Sequence, residues 1–249
     1  MSNAAKYDRE FYQERHARTA YSASAILGEL VSRAPSIKSA VDVGCGVGTW
    51  LHTLTTLGIT DIIGVDGPWV PADTRIISGD RFIANDLREP LHLARRFDLA
   101  ISLEVAEHLQ PVRAEDFVGS LCGLSDLILF SAAVPGQGGP GHVNEQWPAY
   151  WYRLFRQRGY DCLDGLRAQI WDDAEIPYWY RQNTLVFVNS SKQSALININ
   201  GWTKGPPLAL VHPDLYQQVL ERQQYPASTL RLLGTAVRRY VERRIPLNS

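Results

Sequence analysis

Val41-Asp-Val-Gly-Cys-Gly-Val-Gly-Thr49 is the stretch that decides the fold. On its upstream side, Ala40-Val-Asp-Val43 is a short, mostly β-branched run that predicts a buried strand. On its downstream side, Trp50 to Leu57 reads as a helix that stops at Gly58, a suitable C′ glycine. Between them, glycines at alternate positions let the backbone turn sharply and come close to a ligand. The helix that follows offers the free N–H groups of its first turn. A strand that passes into a helix through such a turn is how an α/β sheet begins a ligand-binding crossover.

The pattern continues outward from there. Asp61 to Asp66 predicts a second strand, ended by the turn Gly67-Pro68. Arg75 to Ser78 reads as a third strand and Phe97 to Leu103 as a fourth, with a helix from about Ala114 after Pro111. Leu127 to Ala133 is a fifth strand; a glycine- and proline-rich loop over 135–141 follows, then a helix from Trp147 to Arg158 closed by Gly159. A sixth strand near 161–170 and a seventh at Thr184–Val188 complete the series. Only a loop is expected between the last two, which permits an antiparallel seventh strand. Alternating strands and helices predict an α/β fold: a Rossmann-like, doubly wound sheet of seven strands, mostly parallel, with helices on both faces. Upstream, residues 8–33 read as a helix, or two short helices breaking near Thr19–Tyr21, ended by Pro35. The expected organisation is therefore an N-terminal helical lid (1–36), a core (37–190) and a C-terminal extension (191–249).

Composition narrows the class. The formal net charge is −1 with 20% charged residues, which gives neither disorder nor a global attraction to nucleic acid. The charge is uneven: residues 191–249 carry a net +5 and the rest −6. Much of that excess lies in a basic amphipathic helix expected over about 228–244, where Leu230, Leu233, Val237 and Val241 form one stripe. This helix has three readings: a solvated helix packed on the domain, a helix for a membrane surface or a partner, or a docking element for an anionic acceptor. No nucleic-acid-binding module is recognisable. Cys45, Cys122 and Cys162 are odd in number and far apart, as expected in a reducing cytosol. The polar opening segment lacks the apolar run of a signal peptide, and the stretch Leu127–Val134 is too short to span a bilayer. A cytoplasmic protein is expected, with its oligomeric state left open.

The acidic positions discriminate between ligands. Asp66 ends the second strand, twenty residues after Gly46, where a Rossmann-type fold places the carboxylate that holds ribose hydroxyls. Alternatively it only caps the turn at Gly67. Dinucleotide sites use G-x-G-x-x-G to meet a pyrophosphate. Here the spacing is G-x-G-x-G, and Asp42 lies inside the first strand, where a carboxylate suits a cationic ligand with an amino group.

With AVDVGCGVGTW, GVDG, NDL, FDLAISLEVAEHL and PGQGGPGHVNEQWPAYW in view, the chain resembles the class I S-adenosylmethionine-dependent methyltransferases, in the broad small-molecule group related to types 11 and 23. The resemblance covers about residues 38–190. It implies S-adenosylmethionine as cofactor and S-adenosylhomocysteine as product. Gly44, Gly46 and Gly48 would line the methionine and ribose, Asp42 would orient the methionine amino group, and Asp66 with Gly67 would hold the ribose. Asp86 and Leu87 would read the adenine amino group, with Asp80 as competitor for that part, and Glu104 would lie under the cofactor through its backbone. Trp69 is either an adenine platform or an ordinary core or surface tryptophan.

The acceptor end is less determined. Methyl transfer needs alignment and, for an oxygen or nitrogen nucleophile, removal of a proton. Of the histidines, His52 and His92 read as structural or solvated, and His16 lies on the expected lid. His142 sits in the loop after the fifth strand, and ligands of an open α/β sheet bind beyond the carboxyl ends of its strands. It is the candidate base, or else a histidine that only binds its own loop. Glu145 either orients it or simply occupies the first turn of the next helix. Tyr12, His108, Tyr180 and Arg181 are candidate acceptor contacts. No Asp/His/Glu group has metal-ligand spacing, so no metal is expected. The expected function is methyl transfer to oxygen or nitrogen of a small molecule, such as a sugar or a secondary metabolite. The alternatives are a macromolecular acceptor docked by the basic tail, a cofactor-binding module without transfer, and a nicotinamide-dependent oxidoreductase.

Overall fold

Val41 and Val43 are fully buried, and their strand lies inside a sheet covered on both faces, which is why it carries β-branched residues rather than an alternating pattern. In a computed structural model, residues 9–224 are described, with side chains from Thr19 to Arg222. The strands are β1 (Ser39–Val43), β2 (Asp61–Asp66), β3 (Phe82–Ala84), β4 (Leu99–Leu103), β5 (Leu127–Ser131), β6 (Tyr160–Asp164), β7 (Leu185–Asn189) and β8 (Thr203–Lys204). They form one sheet in the order β3-β2-β1-β4-β5-β7-β6-β8. The first five run parallel; β7 pairs antiparallel with β5 and with β6, and β8 pairs antiparallel with β6. The expected Rossmann-like architecture is present, with a two-residue eighth strand added. The strand order reverses between β1 and β4, which opens a crevice beyond their carboxyl ends.

Helices α1 (Arg9–Arg33), α2 (Thr49–Thr56), α5 (Leu166–Ile170) and α6 (Tyr178–Asn183) share one hydrophobic cluster with one face of the sheet. Helices α3 (Ala114–Leu124) and α4 (Pro148–Gln157) share the other. There Phe155 stacks on Phe187 at 3.9 Å between centroids, and Trp151 packs on Phe130, so that tryptophan belongs to the core. α1 is one unbroken helix: Ala23, Ile26, Leu27 and Leu30 recur at helical spacing, are fully buried and join the cluster that holds α2.

Three local expectations are corrected. Residues 75–78 are not a strand. Ile76 donates to the Val47 carbonyl at 2.9 Å and Ile77 packs on Gly48, so this apolar segment covers the glycine loop instead of joining the sheet. The third strand is β3, with Asp66 opposite Ala84. Second, β6 stops at Asp164. Arg167, 1% exposed, pairs with the Asp164 carboxylate and donates to the carbonyls of Gln182 and Leu208, turning the chain into α5. Third, α5 and α6 stand where only a loop was expected between β6 and β7.

The chain divides into two compact units at Leu210/Val211. The segment after β7 belongs to the first, through α7 (Gln193–Leu196) and β8. The second contains α8 (Pro213–Gln224), where His212 Nδ1 accepts from the Asp214 amide. The basic helix expected over 228–244 lies outside the described residues. Among the described residues no helix is long and apolar enough to cross a membrane.

Candidate functional site

Leu103 and Glu104, successive residues where β4 ends, border two different cavities. The first is framed by the glycine loop between β1 and α2, with Asp42, Gly46 and Trp50 in its wall. Gly44 and Gly48 adopt φ of +90° and +93°. A Cβ on Gly44 would come within 2.3 Å of Val105, so both conformation and space demand glycine there. Asp42 is 2% exposed, and its Oδ2 has no hydrogen-bond partner. Burial pushes its carboxyl well up, and the nearby Asp66 pushes it further. An orphaned buried carboxylate oxygen facing a cavity calls for a cationic or hydrogen-bonding ligand.

Asp66 is held for use. Its Oδ2 accepts from Gly46 N at 2.7 Å and its Oδ1 from Gly67 N at 2.6 Å. Each oxygen keeps acceptor capacity. Burial raises its carboxyl against these two bonds. A Cβ on Gly67 would lie 2.1 Å from the Trp69 ring, so this glycine lets the indole fold across the strand end. The Arg88 guanidinium lies 5.9 Å from that ring and is also paired with the Asp86 carboxylate. Asp86 is thus occupied by Arg88, which holds its carboxyl below the usual range. Its neighbour Asn85, missed in the sequence, donates its amide to the Asp66 carbonyl at 2.8 Å and presents a buried Oδ1 with no partner. Leu87 is buried in the core, and Asp80 stands exposed in a surface turn.

The second cavity, about 200 Å³, lies between the loops that follow β4 and β5. Glu104 adopts φ of +55°, a left-handed conformation rare outside glycine. Its amide donates to the Ser131 carbonyl and hydroxyl, and its carboxylate accepts from Gln137 at 2.8 Å and Asn183 at 3.1 Å. Burial raises this carboxyl, while those amides favour its charged form. Strain held by so many bonds is characteristic of functional positions. The side chain of Glu104 therefore faces the second cavity, in addition to the backbone part at the cofactor that the family resemblance implies. Gln137 and Asn183 were also missed. A glutamine inside a glycine–proline loop and an asparagine just before a strand were the available signals.

The loop after β5 is tied to the one after β4. Val143 and Asn144 both donate to the Glu107 carbonyl, at 2.9 and 3.0 Å. Glu145 accepts from the amides of Gly136 and Gly138 at 2.8 and 2.7 Å, and from His142 Nδ1 at 2.8 Å. It precedes α4 and is not in its first turn. A Cβ on Gly139 would meet the His142 ring at 2.3 Å, so glycine leaves room for the imidazole. The rings of His142 and His108 meet edge to face at 4.9 Å, and His142 Nε2 lies 3.9 Å from Glu107 Oε1. Glu107, His108 and His142 form a group of possible metal ligands whose donor atoms all lie within 4.8 Å of one another. Sequence spacing did not disclose this group, because His142 lies far along the chain from Glu107 and His108, and only the docking of the two loops joins them.

The other candidate acceptor contacts divide. Tyr180 lines the first cavity, edge-on to Trp50. Arg181 is buried, donates to the Trp171 carbonyl and lines neither cavity. Tyr12 and His16 lie on α1, but their side chains fall outside those described. His52 and His92 are exposed and line neither cavity.

Comparison with known proteins agrees with this geometry. Residues 12–164 match the family model of a methyltransferase domain. No curated protein matches the sequence. Among solved structures, a Nostoc punctiforme protein assigned as an O-methyltransferase aligns at 15% identity with a TM-score of 0.52, covering 72% of this chain and 59% of the other. A chain of a complex between a methyltransferase activator and a methyltransferase from Haloferax volcanii aligns at 15% identity and a TM-score of 0.50, covering 75% and 95%. An O-methyltransferase family protein from Burkholderia thailandensis aligns at 13% identity and a TM-score of 0.49, covering 73% and 57%. This chain thus spans little more than half the length of several proteins it resembles, and at such identities the likeness is one of fold.

Proposed function

The chain belongs to the methyltransferase-domain family of S-adenosylmethionine-dependent enzymes, and on that footing we propose that it methylates an oxygen or nitrogen of a small-molecule acceptor held in the second cavity. The observation that carries this reading is the convergence of Glu104, Glu107, His108 and His142 with the aromatic Tyr178 and Trp179 in that cavity, where the end of β4 divides it from the glycine-loop cavity. A mostly apolar wall with a few convergent polar groups suits an acceptor with an apolar body that carries a hydroxyl or amino group.

S-adenosylmethionine supplies a methyl group already activated on a sulfonium sulfur. The chain's own residues bind and align. The orphaned Asp42 oxygen takes the amino group, directly or through water; Asp66 accepts from the ribose hydroxyls; Gly44, Gly46 and Gly48 let backbone come close. Asn85, just beyond β3, turns its unpartnered Oδ1 to the adenine, with Trp69 beside it, while Asp86 is taken up by Arg88. Glu104 marks the boundary between cofactor and acceptor. α1, from which Thr19 reaches the first cavity, is the lid over the core. His142 activates the acceptor: the Glu145 carboxylate can only accept, so Nδ1 carries the hydrogen and Nε2 keeps its lone pair.

Calorimetric titration with S-adenosylmethionine and S-adenosylhomocysteine, beside Asp66→Ala, followed by a screen of hydroxyl- and amine-bearing acceptors, tests the reading. Micromolar binding that the variant loses, and methyl transfer to some such acceptor, is the expected result. Absence of binding of either adenosyl ligand overturns it.

A further inference from the structure

We infer that Glu107, His108 and His142 form a binding site for one divalent transition-metal ion, which holds an oxygen of the acceptor beside the methyl donor. This rests on the methyltransferase reading and specifies how His142 activates the acceptor there.

Three features converge on it. The donor atoms of the three residues lie within 4.8 Å of one another. An ion at about 2.1 Å from imidazole nitrogen and carboxylate oxygen needs only side-chain rotation to draw them together. The 3.9 Å between His142 Nε2 and Glu107 Oε1 is too long for a hydrogen bond and longer than the roughly 3.4 Å between two tetrahedral ligands of one zinc ion, so the pair closes by about half an ångström on binding. Then there is the support behind the ligand. Imidazoles that bind metals usually donate their other N–H to a carboxylate, which fixes the tautomer and raises basicity. Glu145 does this for His142, and it is itself fixed by two backbone amides. Finally, the group lines a cavity rather than a closed core, and three protein ligands leave positions open for a bound molecule.

The ligand set indicates the ion and the acceptor. Two imidazoles and one carboxylate favour zinc, cobalt, iron(II) or manganese over magnesium or calcium. The group carries few net charges once an ion is present. A divalent ion lowers the pKa of a bound hydroxyl, so the acceptor class is an alcohol or phenol. In the transfer, a lone pair of the acceptor oxygen forms the C–O bond, the electrons of the C–S bond return to sulfur, and the hydroxyl proton leaves to water.

The test uses the full chain, stripped with a chelator and titrated with Co²⁺ while its visible d–d absorption is followed. One equivalent is expected to bind. His142→Ala and His108→Ala each lose the signal, and the positioning variant Glu145→Gln weakens affinity about 10- to 100-fold. His92→Ala, at an exposed site, leaves binding unchanged. All variants are checked for S-adenosylhomocysteine binding, which confirms that they fold. The inference is overturned if stripped protein takes up no Co²⁺, if both His108→Ala and His142→Ala keep the full signal, or if His92→Ala abolishes it. S-adenosylhomocysteine binding by the stripped wild type reports separately on the methyltransferase reading.

Discussion

The two ends of the crevice are built in opposite ways. At the cofactor end, one unbroken stretch from Asp42 to Thr49 supplies strand, turn and helix start, and Asp66 joins it by bonding to Gly46 at 2.7 Å. At the acceptor end, the lining comes from several segments. Glu104, Glu107 and His108 come from the loop after β4, Gln137 and His142 from the loop after β5, and Asn183 from the end of α6. The first end is a motif and the second an assembly. A motif tolerates change elsewhere, whereas an assembly fails when any of its supports moves.

Substitutions that separate the two ends sharpen this contrast. The largest effect belongs to His142→Ala, which lowers the rate of methyl transfer about 10²–10⁴-fold and leaves S-adenosylhomocysteine affinity unaltered; steady-state kinetics beside calorimetry check both halves. Asp66→Ala acts at the other end. A net loss equal to about one charged hydrogen bond, 1.5–3 kcal/mol, weakens S-adenosylhomocysteine by roughly 10- to 100-fold, read in the same titration.

Gly139→Ala breaks the assembly without touching its chemistry. The new methyl would meet the His142 ring at 2.3 Å and displace it. Methyl transfer then falls by about an order of magnitude or more, as misplacement at a reacting centre does, while cofactor affinity is kept. Equal loss at both ends would break the comparison.

Asp42→Asn has the smallest effect and a definite sign. Burial raises the Asp42 carboxyl above its unfolded value, so its ionised form costs stability at neutral pH, and that cost disappears as pH falls below the ordinary carboxyl range. The amide variant is therefore more heat-stable than wild type at pH 7 without ligand, and equal to it near pH 3. Its S-adenosylmethionine affinity is lower, because the amino group loses a charged partner. Thermal melts across pH with and without ligand show both.

The same contrast explains what the sequence disclosed. The glycine spacing and the carboxylates of Asp42 and Asp66 are local signals at fixed offsets, and they were legible. So was the sheet, because strands buried on both faces read as short apolar runs. Residues 75–78 misled for the same reason: Ile76 and Ile77 are as apolar as a strand, but their partner is the glycine loop. Asp86 was favoured by the resemblance of Asn85-Asp-Leu87 to the family's adenine-reading pair, yet Arg88, two residues on, binds its carboxylate, and pairing of that kind depends on rotamers that spacing does not specify. The metal-ligand group was illegible for a topological reason. His142 reaches Glu107 only because Val143 and Asn144 donate to the Glu107 carbonyl, a contact between loops of different strands.

The independence of the two ends is read in one titration: S-adenosylhomocysteine into wild type, Asp66→Ala and His142→Ala, by calorimetry under identical conditions. Single-site binding to wild type, equal binding to His142→Ala and most binding lost in Asp66→Ala is the predicted outcome. No binding to wild type, or equal loss in both variants, would contradict an independent cofactor motif joined to a separately assembled acceptor site.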